Sequence, residues 1–210
     1  FIGAAQKKVL PKPKCIVYTN LTCDANLLTF KKLAKMYDVP IFAIDVPMQQ
    51  NEDNVQYVAD QLRKLKDFIE ECTGKKITDE TLTERLRRSK RTLEKFAQYE
   101  KESADRYIPA DLVTPLYAGM TNNLLLGTEE EETYVDRLLN DVKKAPAKKG
   151  KKIYWMHTIP FWSDAVKDAL LLNDDVQIVG CELSQATDIS RHSENPYEEM
   201  AMRLIYHALN

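Results

Sequence analysis

The alternation of short β-branched runs with helical patterns is the feature that most limits how this chain can fold. The run IVYT, the helical pattern ANLLTFKKLAKMY and the run PIFAID follow one another near the start of the sequence. They predict a strand from Cys15 to Thr19, a helix from about Ala25 to Tyr37, and a second strand that closes at Asp45. A βαβ unit of this kind places its two strands parallel in one sheet.

The same alternation returns near the end of the chain. KIYWMHT and VQIVGCE have the pattern of strands, whereas FWSDAVKDALLLN and NPYEEMAMRLIYHALN have the pattern of helices. We therefore predict an α/β fold of two partial parallel-sheet Rossmann-like units joined by a long helical insert. The predicted division is residues 1–50 for the end of a first α/β domain, 51–150 for the insert and its linker, and 151–210 for the start of a second α/β domain.

Helical patterns fill the middle of the chain. The first has one apolar face and ends at Gly74, a residue suited to the position after a helix, and the second begins after Thr78. A third is predicted from about Pro109 to Leu126 and a fourth from Thr128 to about Lys143. The lysine-rich segment KKAPAKKGKK that follows could bind anions or form a solvated linker. No aromatic or arginine lies between its lysines, and this favours the linker.

Composition excludes several classes of protein. The 210 residues are 44% hydrophobic and 30% charged, with a net charge of −2, which is typical of a globular chain and gives no basic surface for nucleic acid. No apolar run is long enough to cross a membrane, and the opening FIGAAQKKVLPKPK lacks the apolar core of a signal peptide. We expect a cytoplasmic protein. Because Phe1 is not an initiator methionine and the last helical pattern continues to Asn210, we interpret the chain as an internal piece of a longer protein.

The four cysteines form no CxxC pair, so free thiols are the expectation for a reducing compartment. Cys15 in the strand pattern and Cys72 near a helix end are predicted to be small buried hydrophobic residues. Cys23 differs, because it lies between a strand end and a helix start. The positive end of a helix dipole favours a reactive or metal-binding thiolate there, although a buried, inert cysteine is equally compatible with the pattern.

Other residues able to do chemistry also follow predicted strands. Asp45 and Glu182 each come at the end of a strand, as does His157, and Asp24 adjoins Cys23. In an open parallel sheet, such positions converge on one crevice. Asp45 could act in a site or only form a turn, His157 could be a general base or a structural residue, and Asp24 could only cap the helix.

Several motifs in a fixed order resemble one family. The segments TNLTCDA, YDVPIFAIDVP, YVADQLRKLKDFIEECTGKKITDETL and NPYEEMAMRLIYHAL are similar to the 2-hydroxyglutaryl-CoA dehydratase D-component family, which also contains benzoyl-CoA reductase subunits. The resemblance covers nearly the whole chain. Its most specific parts are the cysteine–aspartate turn, the D-x-P after the next strand, and the following helix pair.

The resemblance implies a cofactor. In this family two related subunits pair, and each commonly carries an iron–sulfur cluster held by cysteines from separate parts of the sequence. Cys23 occupies the ligand position of the TCD turn and is the expected iron ligand of a [4Fe-4S] cluster in the intact subunit. The family's other ligands have no match here, since Cys15 belongs to the strand and Cys181 precedes the last helix. We expect this fragment alone to lack the cluster and to be inactive.

The resemblance also implies a reaction, the loss of water from a (R)-2-hydroxyacyl-CoA to give an enoyl-CoA. In the implied mechanism, one electron converts the thioester into a ketyl radical anion, which expels the hydroxyl group and acidifies the β-hydrogen. The implied partners are a related subunit in a heterodimer, an ATP-dependent activator protein that delivers the electron, and the acyl-CoA substrate. The alternative is a non-catalytic α/β binding or structural subunit without a cluster.

Overall fold

The computed structural model describes residues 1–21, 25–107, 124–147, 150–156, 162–170, 175–181 and 191–206. These ranges contain the elements α1 (Ile2–Gln6), β1 (Ile16–Thr19), α2 (Ala25–Tyr37), β2 (Ile41–Ile44), α3 (Glu52–Thr73), α4 (Asp79–Ser103), α5 (Glu129–Lys144), β3 (Lys151–Trp155), α6 (Asp164–Leu170), β4 (Val176–Cys181) and α7 (Pro196–Tyr206). The predicted α/β class is confirmed. The third predicted helix falls mostly on residues 108–123, outside the described ranges.

The chain divides into two compact units. The first comprises Phe1–Thr83 with Asp188–Asn210, and the second comprises Glu84–Thr187. Each unit contains one parallel two-stranded sheet, β1–β2 in the first and β3–β4 in the second. The three-part division expected from the sequence stays a prediction.

In the first unit, β1, α2 and β2 form the predicted βαβ arrangement. Ile16 is opposite Ile41 and Thr19 is opposite Ile44, so the strands are paired along their whole length. Cys15 precedes β1 rather than lying within it, which shortens the predicted strand by one residue. Because β1 and β2 end at the same edge, the loops that follow them are neighbours.

Helices cover both faces of this sheet. The ring of Tyr18 on β1 stacks on Phe30 of α2, with centroids 5.7 Å apart. On the other face, Phe42 of β2 meets Phe68 of α3 at 5.4 Å. Successive strand residues point to opposite faces, which explains why the two aromatic pairs form on different sides.

The core of the first unit lies between α3, β2 and α7. Val58 and Ala59 of α3 are fully buried with Ala201 and Ile205 of α7. α3 is capped before its first residue by Asn51, whose side chain accepts a hydrogen bond from the backbone N–H of Asn54, and it is followed by Gly74 with a φ of 71°. The end at Gly74 was predicted, since glycine tolerates the left-handed conformation, and asparagine is a residue type that commonly caps a helix start.

In the second unit, α4 and α5 are joined by ion pairs between their facing sides. Arg88 pairs with Glu129 at 3.1 Å, and Lys95 pairs with Asp136 at 2.8 Å. α5 starts where Thr128 accepts a hydrogen bond from the backbone of Glu131, as predicted. Its first turn is acidic and its last turn carries two lysines, an arrangement that complements the helix dipole.

The second sheet follows the lysine-rich segment. Ile153 of β3 is opposite Ile178 of β4, and Cys181 is buried against Trp155 and Val166. The described part of the lysine-rich segment is held to the chain after α4, because the N–H of Tyr107 donates to the carbonyl of Pro146 at 2.8 Å. No helix in the described ranges has both the length and the apolar character that a membrane span requires.

Candidate functional site

The best-defined polar cluster of the first unit lies at the carboxyl edge of the β1–β2 sheet. Asn20 directly follows β1 and Asp45 directly follows β2. The backbone N–H of Asn20 donates to the carbonyl of Ile44 at 3.3 Å, so strand pairing extends to the edge itself. Ligands of open α/β sheets bind outside this edge, which makes it the candidate site.

Asp45 is held by hydrogen bonds to both its carboxylate and its backbone. Its Oδ2 accepts from the hydroxyl of Tyr57 at 2.9 Å, and its Oδ1 accepts from the side-chain amide of Asn20. Its N–H donates to Oε1 of Gln61 at 2.9 Å, and its carbonyl accepts from Nε2 of the same residue at 2.8 Å. The side-chain amide of Gln61 therefore satisfies both the N–H and the carbonyl of Asp45, as a neighbouring strand would do.

Asn20 connects the two strand ends through one side chain. Its Nδ2 donates to Asp45, while its Oδ1 accepts from the backbone N–H of Val46 at 2.8 Å. The next residue, Leu21, donates its N–H to the hydroxyl of Thr19 at 3.1 Å, which begins a turn. Cys23 follows Asn20 by three residues, so the chain enters the TCD turn from a fixed backbone.

The electrostatics of the cluster keep the Tyr57 phenol protonated. Its hydrogen bond to the Asp45 carboxylate, together with the negative charge of that group, raises the pKa of Tyr57 above 10.0. Both side chains are solvent-exposed, and each carboxylate oxygen has a donor. Through these contacts, Asp45 fixes the loop that follows β2. A direct role of Asp45 in binding or catalysis stays a prediction.

The other sequence-predicted site residues lie outside the described ranges. This applies to Cys23, His157, Asp24 and Glu182. Their proposed roles stay predictions, and of the predicted set only Asp45 has described contacts.

The described residues do not supply a set of metal ligands. No group of three or more histidine, cysteine, aspartate or glutamate side chains within those ranges could hold a metal ion. Cys23 is the one ligand that the family resemblance assigns, and a single thiolate is not enough for a four-iron cluster, which is held by several cysteines.

The structure corrects part of the prediction for the remaining cysteines. Cys181 is fully buried, but Cys15 and Cys72 are both half-buried free thiols. They were expected to be buried hydrophobic residues. The prediction was wrong because Cys15 lies before β1 begins and Cys72 lies in the last turn of α3, where neither side chain is completely covered.

Three members of the polar cluster were not singled out from the sequence: Asn20, Tyr57 and Gln61. Asn20 could have been noticed, since an asparagine after a strand commonly bonds to nearby backbone. Tyr57 and Gln61 are four residues apart on the helix that follows β2, so they share one face of it. The polarity of these two side chains and their spacing are the sequence features that could have indicated the cluster.

A second polar network anchors the loop before α7. Nδ1 of His192 lies 3.1 Å from Oε2 of Glu199, which also accepts the N–H of Ser193 at 3.0 Å. Arg203 donates to Oε1 of Glu199 at 2.9 Å. Burial opposes ionisation of Glu199, but the bonds from Ser193, Arg203 and His192 outweigh it and lower the pKa below 4.5.

Comparison with known proteins identifies what this chain is similar to. The family model described as 2-hydroxyglutaryl-CoA dehydratase, D-component, matches residues 1–209. The chain is 24% identical to the (R)-phenyllactyl-CoA dehydratase alpha subunit of Clostridium sporogenes over 160 residues, which is 73% of this chain and 38% of that relative. It is 28% identical to the (R)-2-hydroxyglutaryl-CoA dehydratase subunit alpha of Acidaminococcus fermentans over 91 residues, 41% of this chain and 19% of that relative. The matched regions thus span well under half the length of either relative.

Proposed function

The chain belongs to the 2-hydroxyglutaryl-CoA dehydratase D-component family, and we propose on that basis that it is part of a 2-hydroxyacyl-CoA dehydratase subunit. The proposed reaction removes water from a (R)-2-hydroxyacyl-CoA and gives the corresponding enoyl-CoA. The observation that carries the proposal is the family match over residues 1–209, which includes both the TCD turn and the carboxyl edge of the first sheet. The two relatives, whose names describe dehydratases of different 2-hydroxyacyl-CoA thioesters, support the same reaction class.

The proposed role of Cys23 is to supply one thiolate to an iron–sulfur cluster of the intact subunit. The hydrogen on the β-carbon of the substrate is not acidic, so acid–base groups alone would remove it slowly, and single-electron chemistry is what such a cofactor provides. Cys23 is the one ligand that we propose, and we assign no further ligand.

The described side chains contribute to this function by positioning. Asn20 ties the end of β1 to the loop after β2, and Gln61 fixes the backbone of Asp45 from α3. The TCD motif begins two residues after Asn20, so these bonds order the backbone that leads to it. A ligand held on an ordered backbone loses less conformational entropy when it binds a metal.

The proposed partners follow from the same family membership. The relatives are named as alpha subunits, which supports a second, related subunit as the partner of the intact protein. An ATP-dependent activator and a cytoplasmic location complete the proposal.

The test uses the intact protein, produced without oxygen together with its paired subunit. Iron content, the visible absorbance of thiolate-bound iron, and dehydration of (R)-phenyllactyl-CoA and (R)-2-hydroxyglutaryl-CoA would be measured in the presence of the activator. We expect Cys23→Ala to lose both iron and activity, whereas the matched control Cys72→Ala keeps both. Equal iron in the two variants would contradict the assignment of Cys23. A colourless wild-type protein without activity would favour a non-catalytic subunit.

A further inference from the structure

An exposed arginine of the first unit stacks on a tyrosine and has no carboxylate to balance its charge. The guanidinium carbon of Arg191 lies 4.1 Å from the centre of the Tyr206 ring. Arg191 is solvent-exposed, and it forms no ion pair with any residue that the structure describes. The ring covers one face of the guanidinium, while the N–H groups in its plane keep the capacity to bind an anion.

The carboxylates of the same segment have other partners. Residues 191–206 contain three glutamates, and each of them contacts a donor other than Arg191: Glu194 contacts His192, Glu198 contacts Gln56 and Ser193, and Glu199 contacts Arg203, His192 and Ser193. The charge of Arg191 is therefore not balanced within the segment that carries it.

A second arginine of this unit shows the balanced arrangement. Arg63 of α3 also stacks on a tyrosine, with its guanidinium carbon 4.9 Å from the centre of the Tyr197 ring. Its Nη1, however, pairs with Oδ1 of Asp60 at 2.7 Å. Arg63 thus has both a ring and a carboxylate, whereas Arg191 has the ring and leaves its donors to a ligand.

The ring under Arg191 belongs to the core that supports the candidate site. Tyr206 ends α7 and is buried in one cluster with Val46, which belongs to the loop after β2. Nε2 of Gln50, from the same loop, donates to the carbonyl of Ile205 at 3.3 Å. The end of α7 is thus fixed to the loop at the carboxyl edge of the first sheet, and Arg191 lies on that end.

We propose that Arg191 binds a phosphate group of the CoA part of an acyl-CoA thioester, an inference that rests on the proposed dehydratase function. Ligands of open α/β sheets bind outside the carboxyl edge, and Arg191 lies beside the loop that forms this edge. CoA carries a diphosphate and a 3′-phosphate. A guanidinium can donate two parallel hydrogen bonds to one phosphate, which would also supply the missing negative charge.

Stacking on Tyr206 prepares Arg191 for this contact. The ring restricts the rotamers of a long side chain, so less conformational entropy is lost when the phosphate binds. A lysine at this position would keep the charge but not the planar fork of donors. Arg191→Lys is therefore expected to bind CoA more weakly than wild type and more tightly than Arg191→Gln.

The test measures binding of CoA to the intact protein by titration calorimetry, so it does not require turnover. We expect Arg191→Gln to raise the dissociation constant for CoA roughly tenfold. Pantetheine has no phosphate and should bind to this variant as it binds to wild type. Arg63→Gln is the matched control and should keep the wild-type affinity for CoA, because the charge of Arg63 is already paired with Asp60. Repeating the comparison with 3′-dephospho-CoA shows which phosphate is bound.

A second measurement needs no variant and so does not depend on the folding of Arg191→Gln. Phenylglyoxal modifies exposed arginines, and mass spectrometry of the digested protein reports the modification at Arg191. CoA should slow this modification, whereas pantetheine should not. An unchanged rate at Arg191 in saturating CoA would overturn the proposal.

Equal affinities of wild type and Arg191→Gln for CoA would also overturn it. Arg191 would then only stabilise the carboxyl end of α7, where the helix dipole favours a cation. A loss of affinity for (R)-2-hydroxyglutaryl-CoA alone would instead assign Arg191 to the acyl carboxylate and contradict the phosphate contact. Wild-type protein that binds CoA through Arg191 but dehydrates no thioester would contradict the proposed function and not this inference. Wild-type protein that does not bind CoA would contradict both.

Discussion

The phenol of Tyr57 donates to Oδ2 of Asp45 at 2.9 Å and joins the first turns of α3 to the end of β2. A second tyrosine of the same unit, Tyr197, makes the corresponding bond to Asp79 at 2.6 Å, but its ring is buried. The two pairs have the same chemistry in different surroundings. The two pairs allow the effect of the carboxylate on the pKa of a tyrosine to be separated from the effect of burial.

Asp45→Asn is expected to lower the pKa of Tyr57 towards 10.0, because both the charged acceptor and its field are removed. The raised pKa means that the folded state holds the phenolic proton more tightly than the unfolded state does. The resulting stability is present below pH 10.0 and is lost as pH rises through the pKa of folded Tyr57.

The measurement is a titration of the Tyr57 ring by NMR, with the signal assigned by its disappearance in Tyr57→Phe. Tyr197 provides the control, since burial is the main reason that its pKa is raised to about 12, and Asp45→Asn should leave it unchanged. An unchanged Tyr57 titration in Asp45→Asn would show that the hydrogen bond does not persist in solution.

Gln61→Met is expected to loosen the loop after β2. The methionine has a similar length but can make neither of the hydrogen bonds to the backbone of Asp45. Amide hydrogen exchange of Asp45 should therefore become faster. Gln56→Met is the matched control, since Gln56 bonds to Glu198 on α7 and not to the loop. Equal exchange at Asp45 in both variants would mean that Gln61 does not fix the loop.

Much of the first unit could be predicted because its elements carry local signals. The helix period predicted both ends of α2 to the residue, and Gly74 marked the end of α3. In the second unit, Thr128 marked the start of α5 in the same way. These features depend on neighbours within a few residues, so sequence patterns contain them.

The polar cluster could not be predicted in the same way. Asn20 and Asp45 are 25 residues apart, and their contact depends on how β2 aligns with β1. The contact of Phe68 with Phe42 likewise needs the rotation of α3 about its axis, which the sequence pattern does not give. Sequence periodicity gives the face of each element but not the partner that it meets.

Gly127→Ala is expected to destabilise the second unit by about 1–3 kcal/mol, because the backbone has a φ of 86° that alanine rarely adopts. A β-carbon at this position would also lie 2.8 Å from the carbonyl oxygen of Arg85, so the start of α5 would have to move away from α4. The measurement is the free energy of unfolding in denaturant.

The variant Gly74→Ala separates the strain of the left-handed backbone from the clash with Arg85. Gly74 has a similar φ of 71°, but an added β-carbon would meet nothing within 4 Å. Gly74→Ala should therefore lower the free energy of unfolding only by the backbone strain, roughly 1–2 kcal/mol. A loss for Gly127→Ala no larger than that for Gly74→Ala would contradict the predicted clash.

Glu131 is the titratable group expected to dominate the pH dependence of the second unit near neutrality. Its side chain is 1% exposed; Oε2 accepts the N–H of Gly127 at 2.9 Å, and Oε1 has no hydrogen-bond partner among the described residues. Burial raises its pKa from 4.5 to about 7, although the bond from Gly127 acts in the opposite direction. The folded state therefore binds this proton more tightly than the unfolded state does.

Because folded Glu131 binds its proton more tightly than unfolded Glu131, the folded state is less stable at higher pH. The contribution of Glu131 to stability is fully present below pH 4.5 and is lost as pH rises through about 7. We expect the free energy of unfolding to fall across this window by an amount on the order of 3 kcal/mol.

Glu131→Gln should remove most of this decrease, because glutamine keeps the acceptor for Gly127 and carries no ionisable proton. The exposed neighbour Glu130→Gln is the control and should leave the decrease intact. A decrease of the same size in Glu131→Gln and wild type would show that another group controls it.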